Sequence, residues 1–175
     1  QNKQAELNFL QAQMNPHFIF NCLNTIEAFI VEQKEEEATS ALQKFSKLIR
    51  AVLENAQHDC ISLSQELEVL EWYIQLEQIR ANHRWDYQLE VAAELDLAMH
   101  KVPPLVLQPF VENAIVHGLH HRRAAGGALR IHLAADDSGG LIVIISDNGI
   151  GRDAAGKRHR VNAQKSSLGL QFTSE

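Results

Sequence analysis

Cysteine, proline and basic charge are all scarce in this chain. It has 175 residues but only two cysteines and four prolines, with 16 Lys and Arg against 22 Asp and Glu. Cys22 and Cys60 lack CxxC spacing, which excludes a disulfide framework and a structural zinc site and points to a reducing cytoplasm. The net charge of -6 leaves no electrostatic footprint for nucleic acid and no polybasic patch for a membrane surface. Partners are therefore expected among proteins and small molecules. The longest unbroken apolar run, Leu141 to Ile145, is far short of the roughly 20 residues that span a bilayer, and no signal peptide opens the chain. Gln1 to Leu10 already reads as mid-helix without a cap, so further chain is expected upstream.

What the chain does have is core. At 45% hydrophobic and 22% charged it can fill one or two small domains. Heptad spacing from residue 5 to about 31 places Leu7, Leu10, Met14, His17, Asn21, Asn24, Ala28 and Val31 on one seam, with Phe20, Leu23, Ile26, Phe29 and Ile30 on other faces. A helix apolar on nearly every side needs more than one neighbour, which suits a bundle completed by a second copy. A second helix carries Ala41, Leu42, Phe45, Leu48, Ile49, Val52 and Leu53, and Glu35 to Glu37 read as its solvated start. The two form a helical hairpin, and two hairpins make a four-helix bundle. A third helix, capped by Ser64, carries the stripe Leu67, Leu70, Tyr73, Ile74, Leu76 and Ile79 and links the bundle to the second half of the chain. From Trp85 to Val91 the period changes to two, and Leu129 to Ala134 and Leu141 to Ile145 read as strands joined at Ser138-Gly139-Gly140. Between them, the prolines from Pro103 to Pro109 open a helix that Gly118 closes, with Asn113 projecting from it.

Three motifs carry chemistry. In Asn15-Pro16-His17-Phe18-Ile19-Phe20-Asn21, Pro16 either kinks the helix or restarts it with Asn15 as cap. In the restart case His17 sits in a first turn, where free N–H groups favour an incoming phosphate and Asn21 can orient the ring. A histidine on an apolar helix is ordinarily structural or merely exposed, but Asn15, Asn21 and Asn24 interrupt the hydrophobic pattern here, as expected at a working site. In Glu112-Asn113-Ala114 the carboxamide of Asn113 has the chemistry of a magnesium ligand beside triphosphate oxygens, though it also reads as an ordinary helix asparagine. In Asp147-Asn148-Gly149-Ile150-Gly151 the carboxylate can accept from an adenine amino group and the glycines allow close backbone approach, while the same run is also a good β-turn signal. Ser166 to Leu170 is a weaker candidate for a loop under the phosphates. His117, His120, His121 and His159 lack metal-site spacing, and the last three read as solvated loop.

Gln13 to Asn21, with the two later motifs in order, resembles the LytS-type sensor histidine kinases of bacterial two-component systems, and the likeness covers almost the whole chain. It implies an α+β fold: a helical-hairpin dimerisation and phosphoacceptor region over residues 1–62, a linking helix over 63–82, and an α/β-sandwich Bergerat-type ATP-binding domain over 83–175, incomplete at its C-terminus. The resemblance implies ATP-dependent phosphorylation of His17, helped by Asn21 and Glu112, and transfer to an aspartate on a response regulator receiver domain, often of the LytTR type. It further implies that ATP is held by Asn113, His117, Asp147, Gly149, Gly151, Gly169 and Leu170, with Mg2+ on Asn113. A homodimer is implied as well, forming the cytoplasmic portion of an inner-membrane-anchored bacterial protein and making no direct contact with nucleic acid or membrane in this segment. The chain departs from the pattern at Val116, where related kinases often have a basic residue, at Ser167, where a glycine is usual, and at Phe18, where the commoner kinases carry an acid. A non-catalytic, nucleotide-binding or degenerate signalling scaffold is the competing reading. A GHKL-type ATP hydrolase related to gyrase is a third, opposed by Pro109 where those enzymes carry a glutamate.

Overall fold

Helix α1 (Pro16–Val31) starts where the chain loses an N–H. Pro16 occupies its first position, and the Asn15 side chain accepts from the backbone N–H of His17 at 3.0 Å. The helix therefore restarts at the motif. The computed structural model describes residues 14–121, 126–136 and 140–149, together with the backbone of residues 159–163 and 170–174. The earlier part of the expected helix, with Leu7 and Leu10, lies outside the described residues.

The heptad seam is not the buried stripe. Phe18, Cys22 and Ile26, four apart, face the core behind Met14, whereas His17, Asn24, Ala28 and Val31 are exposed. Within one chain α1 has neighbours on a single side only, so packing follows the i, i+4 row and leaves the other apolar faces open. Phe20, Ile30 and Val31 stay 65%, 64% and 76% exposed.

Helix α2 (Glu35–Asn55) returns antiparallel through a turn at Gln33, and its first turn carries Glu35, Glu36 and Glu37, all exposed and well placed against the helix dipole. It buries Ala38, Ala41, Leu48 and Val52. Strand β1 (Ile61–Ser62) runs straight into α3 (Leu63–Arg80). The cap of α3 is Ser62 rather than Ser64. The Ser62 hydroxyl accepts from Gln65 N–H while the Gln65 side chain accepts from Ser62 N–H, a reciprocal pair that the Ser-x-x-Gln spacing makes possible. Ser64 is instead the second helical residue, its N–H donating to the Leu97 carbonyl.

Strand β2 (Trp85–Val91) pairs in parallel with β4 (Gly127–Ala135), which pairs antiparallel with β5 (Leu141–Asp147). The sheet continues antiparallel through β6 (His159–Ala163) and β7 (Leu170–Ser174), giving the order β2-β4-β5-β6-β7. Strands β6 and β7 are not expected from the sequence pattern. His159 lies in a strand, not a loop. A small ladder joins β1 to β3 (Lys101–Val102), with Ile61 opposite Val102. Alternation sends Leu129, Ile131 and Leu133 of β4 and Leu141, Val143 and Ile145 of β5 into the core.

That face is covered by α4 (Gln108–Asn113) and a π-helical segment (Ala114–Leu119) that continues it, through Val111, Ile115 and Leu119. Gly118 does not end the helix as expected: the π turns pass through it and close when His120 N–H donates to the Ile115 carbonyl at 2.8 Å. A single hydrophobic cluster runs from Met14 and Phe18 through α3 to the sheet. The architecture is α+β, a helical region followed by a sheet with helices on one face.

Candidate phosphoacceptor and nucleotide site

His17 is exposed in the first turn of α1 while its neighbour Phe18 is 3% exposed. Phe18 packs its ring on Tyr73 of α3, centroids 4.7 Å apart and tilted by 40°. One residue anchors the turn and the next is presented to solvent. Asn21 holds the ring from one turn on, its amide nitrogen 3.1 Å from Nδ1 and 3.4 Å from Nε2. Behind the turn the environment is dry. Burial, aided by nearby Glu77, pushes the Cys22 thiol up to about 12, and burial also raises the Tyr73 hydroxyl.

From sequence Asn15 is only a cap and a polar interruption, yet its carboxamide works twice. Besides accepting from His17, it donates to Glu112 Oε1 at 2.6 Å, across 97 residues of sequence. Glu112 therefore reaches the turn that carries His17 through Asn15 rather than by touching the His17 ring. The next residue, Asn113, ends α4 with its side chain exposed, and His117 is exposed on the π segment. No single element brings Asn15 and Glu112 together; the seating of α1 and of α4 against the same core does.

Glu66 fixes the approach to α4. It is 1% exposed, and its two carboxylate oxygens accept from the N–H groups of Leu105 at 2.8 Å and Leu107 at 2.9 Å. Burial raises its carboxyl above the ordinary range, opposed by the bonds from Leu107, Leu105 and Val106. Leu105 adopts a φ of 60°, a left-handed conformation costly for a leucine, so this carboxylate holds a strained loop in place. Nothing in the spacing of Glu66 sets it apart from the other glutamates of its helix.

The turn after β5 meets the π segment at backbone distance. A Cβ on Gly118 would collide with the Asp147 carboxylate, and one on Gly149 with the backbone of Gly118. Asp147 Oδ1 accepts from Gly149 N–H at 2.8 Å. Asn148 pins the turn to the start of β4, accepting from Ala128 N–H at 2.7 Å and donating to the Gly126 carbonyl at 3.1 Å. The structure thus brings Gly118 of the π segment against Asp147 and Gly149 of the β5 turn, while His117 precedes Gly118 in sequence and Asn113 ends α4. Gly151 and Gly169 lie outside the described residues, and of Leu170 only the backbone is described, where it opens β7 opposite Ala163.

The solvated-loop reading of His120 is corrected, while His121 is exposed. His120 is half-buried, with Nδ1 3.2 Å from Arg80 Nη2 and Nε2 3.1 Å from Glu77 Oε2, and Arg80 donates to the other Glu77 oxygen at 2.9 Å. This group, centred on buried Glu77, ties the end of α3 to the end of the π segment. A loop reading misses it because its partners lie 40 residues away or more.

Residues 5–85, which include α1, α2 and α3, match the histidine kinase family. The chain is 38% identical to the sensor protein LytS of Staphylococcus haemolyticus over 151 residues, which is 86% of this chain and 25% of that protein. It is 40% identical to LytS of Enterococcus faecalis, over 85% of this chain and 24% of the relative. The chain belongs to the histidine kinase family. The sensor histidine kinase BtsS of Escherichia coli is similar too, 35% identical over 90% of this chain and 29% of its own length. The chain thus spans about a quarter of the length of these relatives. A solved histidine kinase domain from a blue-light activated kinase of Erythrobacter litoralis overlays with a TM-score of 0.42 and 14% identity, across 79% of this chain and 73% of its own. Among the described residues no helix is long and apolar enough to cross a membrane.

Proposed function

We propose that this chain is the phosphoacceptor and ATP-binding portion of a two-component sensor histidine kinase. It phosphorylates His17 from ATP and passes the group to an aspartate on a response regulator receiver domain, one of the LytTR type. The observation that carries this reading is His17 itself, solvent-facing in the first turn of a helix, held by Asn21 and flanked by the buried anchor Phe18.

A neutral imidazole is the form that can accept. The Asn21 amide nitrogen stands 3.1 Å from Nδ1 and 3.4 Å from Nε2, and the attacking nitrogen is the one that carries the in-plane lone pair of the neutral ring. That lone pair attacks the terminal phosphorus, a nitrogen–phosphorus bond forms, the bond to the bridging oxygen breaks, and ADP leaves with the electron pair. Such chemistry depends on alignment and charge neutralisation rather than on a strong base. In the second step the nitrogen–phosphorus bond breaks as the regulator's carboxylate takes the phosphoryl group, and the imidazole is restored.

In this reading the nucleotide is bound by Asn113, His117, Asp147, Gly149, Gly151, Gly169 and Leu170. The exposed Asn113 carboxamide fits Mg2+, which requires only one or two protein ligands when phosphate oxygens supply the rest, and the bound ion would neutralise charge on the phosphates. Asp147 takes the adenine amino group, and contact between Gly118 and Gly149 keeps that wall narrow. In this reading residues 1–62 form the dimerisation and acceptor region, 63–82 the linking helix and 83–175 the ATP-binding domain. The exposed Phe20, Leu23, Ile30 and Val31 of α1 and Leu42 of α2 are the surface that a second copy covers to complete a four-helix bundle. The whole protein is anchored in the inner membrane by chain beyond this segment.

Incubation with labelled ATP and magnesium is the test. Acid-labile label is expected on the wild type and none on His17→Gln; label that persists in the variant, or phosphate release unaffected by it, contradicts the reading.

A further inference from the structure

We infer that Glu112 is a positioning residue that delivers His17 to nucleotide held by its own subunit. This inference rests on the reading of His17 as acceptor and of Asn113 as a ligand on the nucleotide side. One carboxamide joins the two: Asn15 accepts from His17 N–H at 3.0 Å and donates to Glu112 Oε1 at 2.6 Å. An ionised carboxylate can only accept, which suits the amide donor and makes the bond charge-assisted.

The bond lies at the surface, but the backbone that carries Asn15 is anchored beneath it. Met14 and Phe18, on either side of it, are 1% and 3% exposed, so the turn that carries Asn15 is seated in the core. Glu112 is itself half-buried on α4, next to Asn113 in sequence. The acceptor turn and the nucleotide-side helix are thus tied side by side within a single chain. Nucleotide on another subunit would have to approach a turn that this chain's own α4 already holds.

Two experiments on the full-length kinase test this. In the first, differently tagged subunits are paired. A His17→Gln subunit paired with an Asn113→Ala subunit is expected to stay unlabelled, whereas a wild-type subunit paired with one carrying both substitutions is expected to take label. Label on the complementing pair overturns the inference while leaving His17 the acceptor. Absence of label on the wild type overturns the acceptor reading, and this inference with it.

The second experiment isolates the bridge. Asn15→Asp still caps the helix but sets a carboxylate against Glu112, and is expected to lower kcat by about tenfold with KM for ATP unchanged. Adding Glu112→Gln restores a donor–acceptor pair and is expected to bring kcat back to within about threefold of wild type, a rescue that loss of stability alone would not show. A double variant no better than Asn15→Asp, or a Glu112→Ala variant with wild-type kcat, contradicts the positioning role.

Discussion

Helices α1 and α3 relate composition to burial in opposite ways. α1 reads Pro-His-Phe-Ile-Phe-Asn-Cys-Leu and continues nearly as apolar, yet only Phe18, Cys22 and Ile26 of its 16 residues are buried. α3 carries four glutamates along its 18 residues, yet nine of its positions are buried, Glu66 and Glu77 among them. Hydrophobicity along a helix therefore does not report its surroundings in this protein. The apolar excess of α1 faces outward, where a partner can use it, and the buried charges of α3 are internal ties: Glu66 to the loop before α4, and Glu77 to Arg80 and His120.

The sharpest way to break this contrast is to cut the one stripe by which α1 is held. Phe18→Ala is expected to cost about 4 kcal/mol in denaturant unfolding, because it removes a buried ring and its partner on Tyr73. Phe20→Ala, two residues on and 65% exposed, is expected to stay within about 0.5 kcal/mol. Similar costs for the two would mean that the buried row is misassigned. On α3, Glu66→Ala leaves the Leu105 and Leu107 N–H groups without their acceptor and is expected to cost about 3 kcal/mol by the same measurement. A near-neutral result would remove Glu66 from the account of how α4 is placed.

The Glu66 carboxyl also gives a pH signature. Its folded value is raised above 4.5, chiefly by burial, so the folded state holds this proton more tightly than the unfolded chain does. The contribution is fully present below 4.5 and is lost as pH rises through the folded value. The stability of the wild type relative to Glu66→Gln is therefore expected to fall as pH rises through that window. A gap that widens instead would mean that the three backbone bonds outweigh burial. For α1, Phe20→Glu combined with Ile30→Glu is expected to shift the protein to monomer in analytical ultracentrifugation with its circular dichroism intact; an unchanged dimer would place the interface elsewhere. The smallest effect is chemical. Cys60 is exposed while the Cys22 thiol is pushed up to about 12, so iodoacetamide at mildly alkaline pH is expected to modify Cys60 alone, as read by peptide mass.

Local chemistry explains what is legible in the sequence. Asn15 and Pro16 specify a helix start through one missing donor and one short acceptor, and Asp147-Asn148-Gly149 specifies a turn, so both motifs can be placed without a structure. Helix α2 can be read because its stripe and its acidic first turn agree. What escapes depends on contacts distant in sequence. The face that α1 buries is set by α2 and α3, not by its own heptads. Ser62 outcompetes Ser64 as cap because Gln65 stands three residues after Ser62 and reciprocates. The π turns around Gly118 accommodate the close approach of Asp147 and Gly149, about 30 residues on, which no window over 103–118 contains. The Asn15 to Glu112 bond escapes for the same reason, although each residue stands out within its own motif.

The proposed activity requires one imidazole to take a phosphoryl group. Brief reaction of the protein with ATP and magnesium at neutral pH, followed by mild proteolysis and fragmentation mass spectrometry that preserves nitrogen–phosphorus bonds, locates the group directly. The predicted result is phosphate on the His17 ring, lost after acid treatment. Phosphate on another residue, or an unmodified peptide from a protein that has consumed ATP, would contradict it.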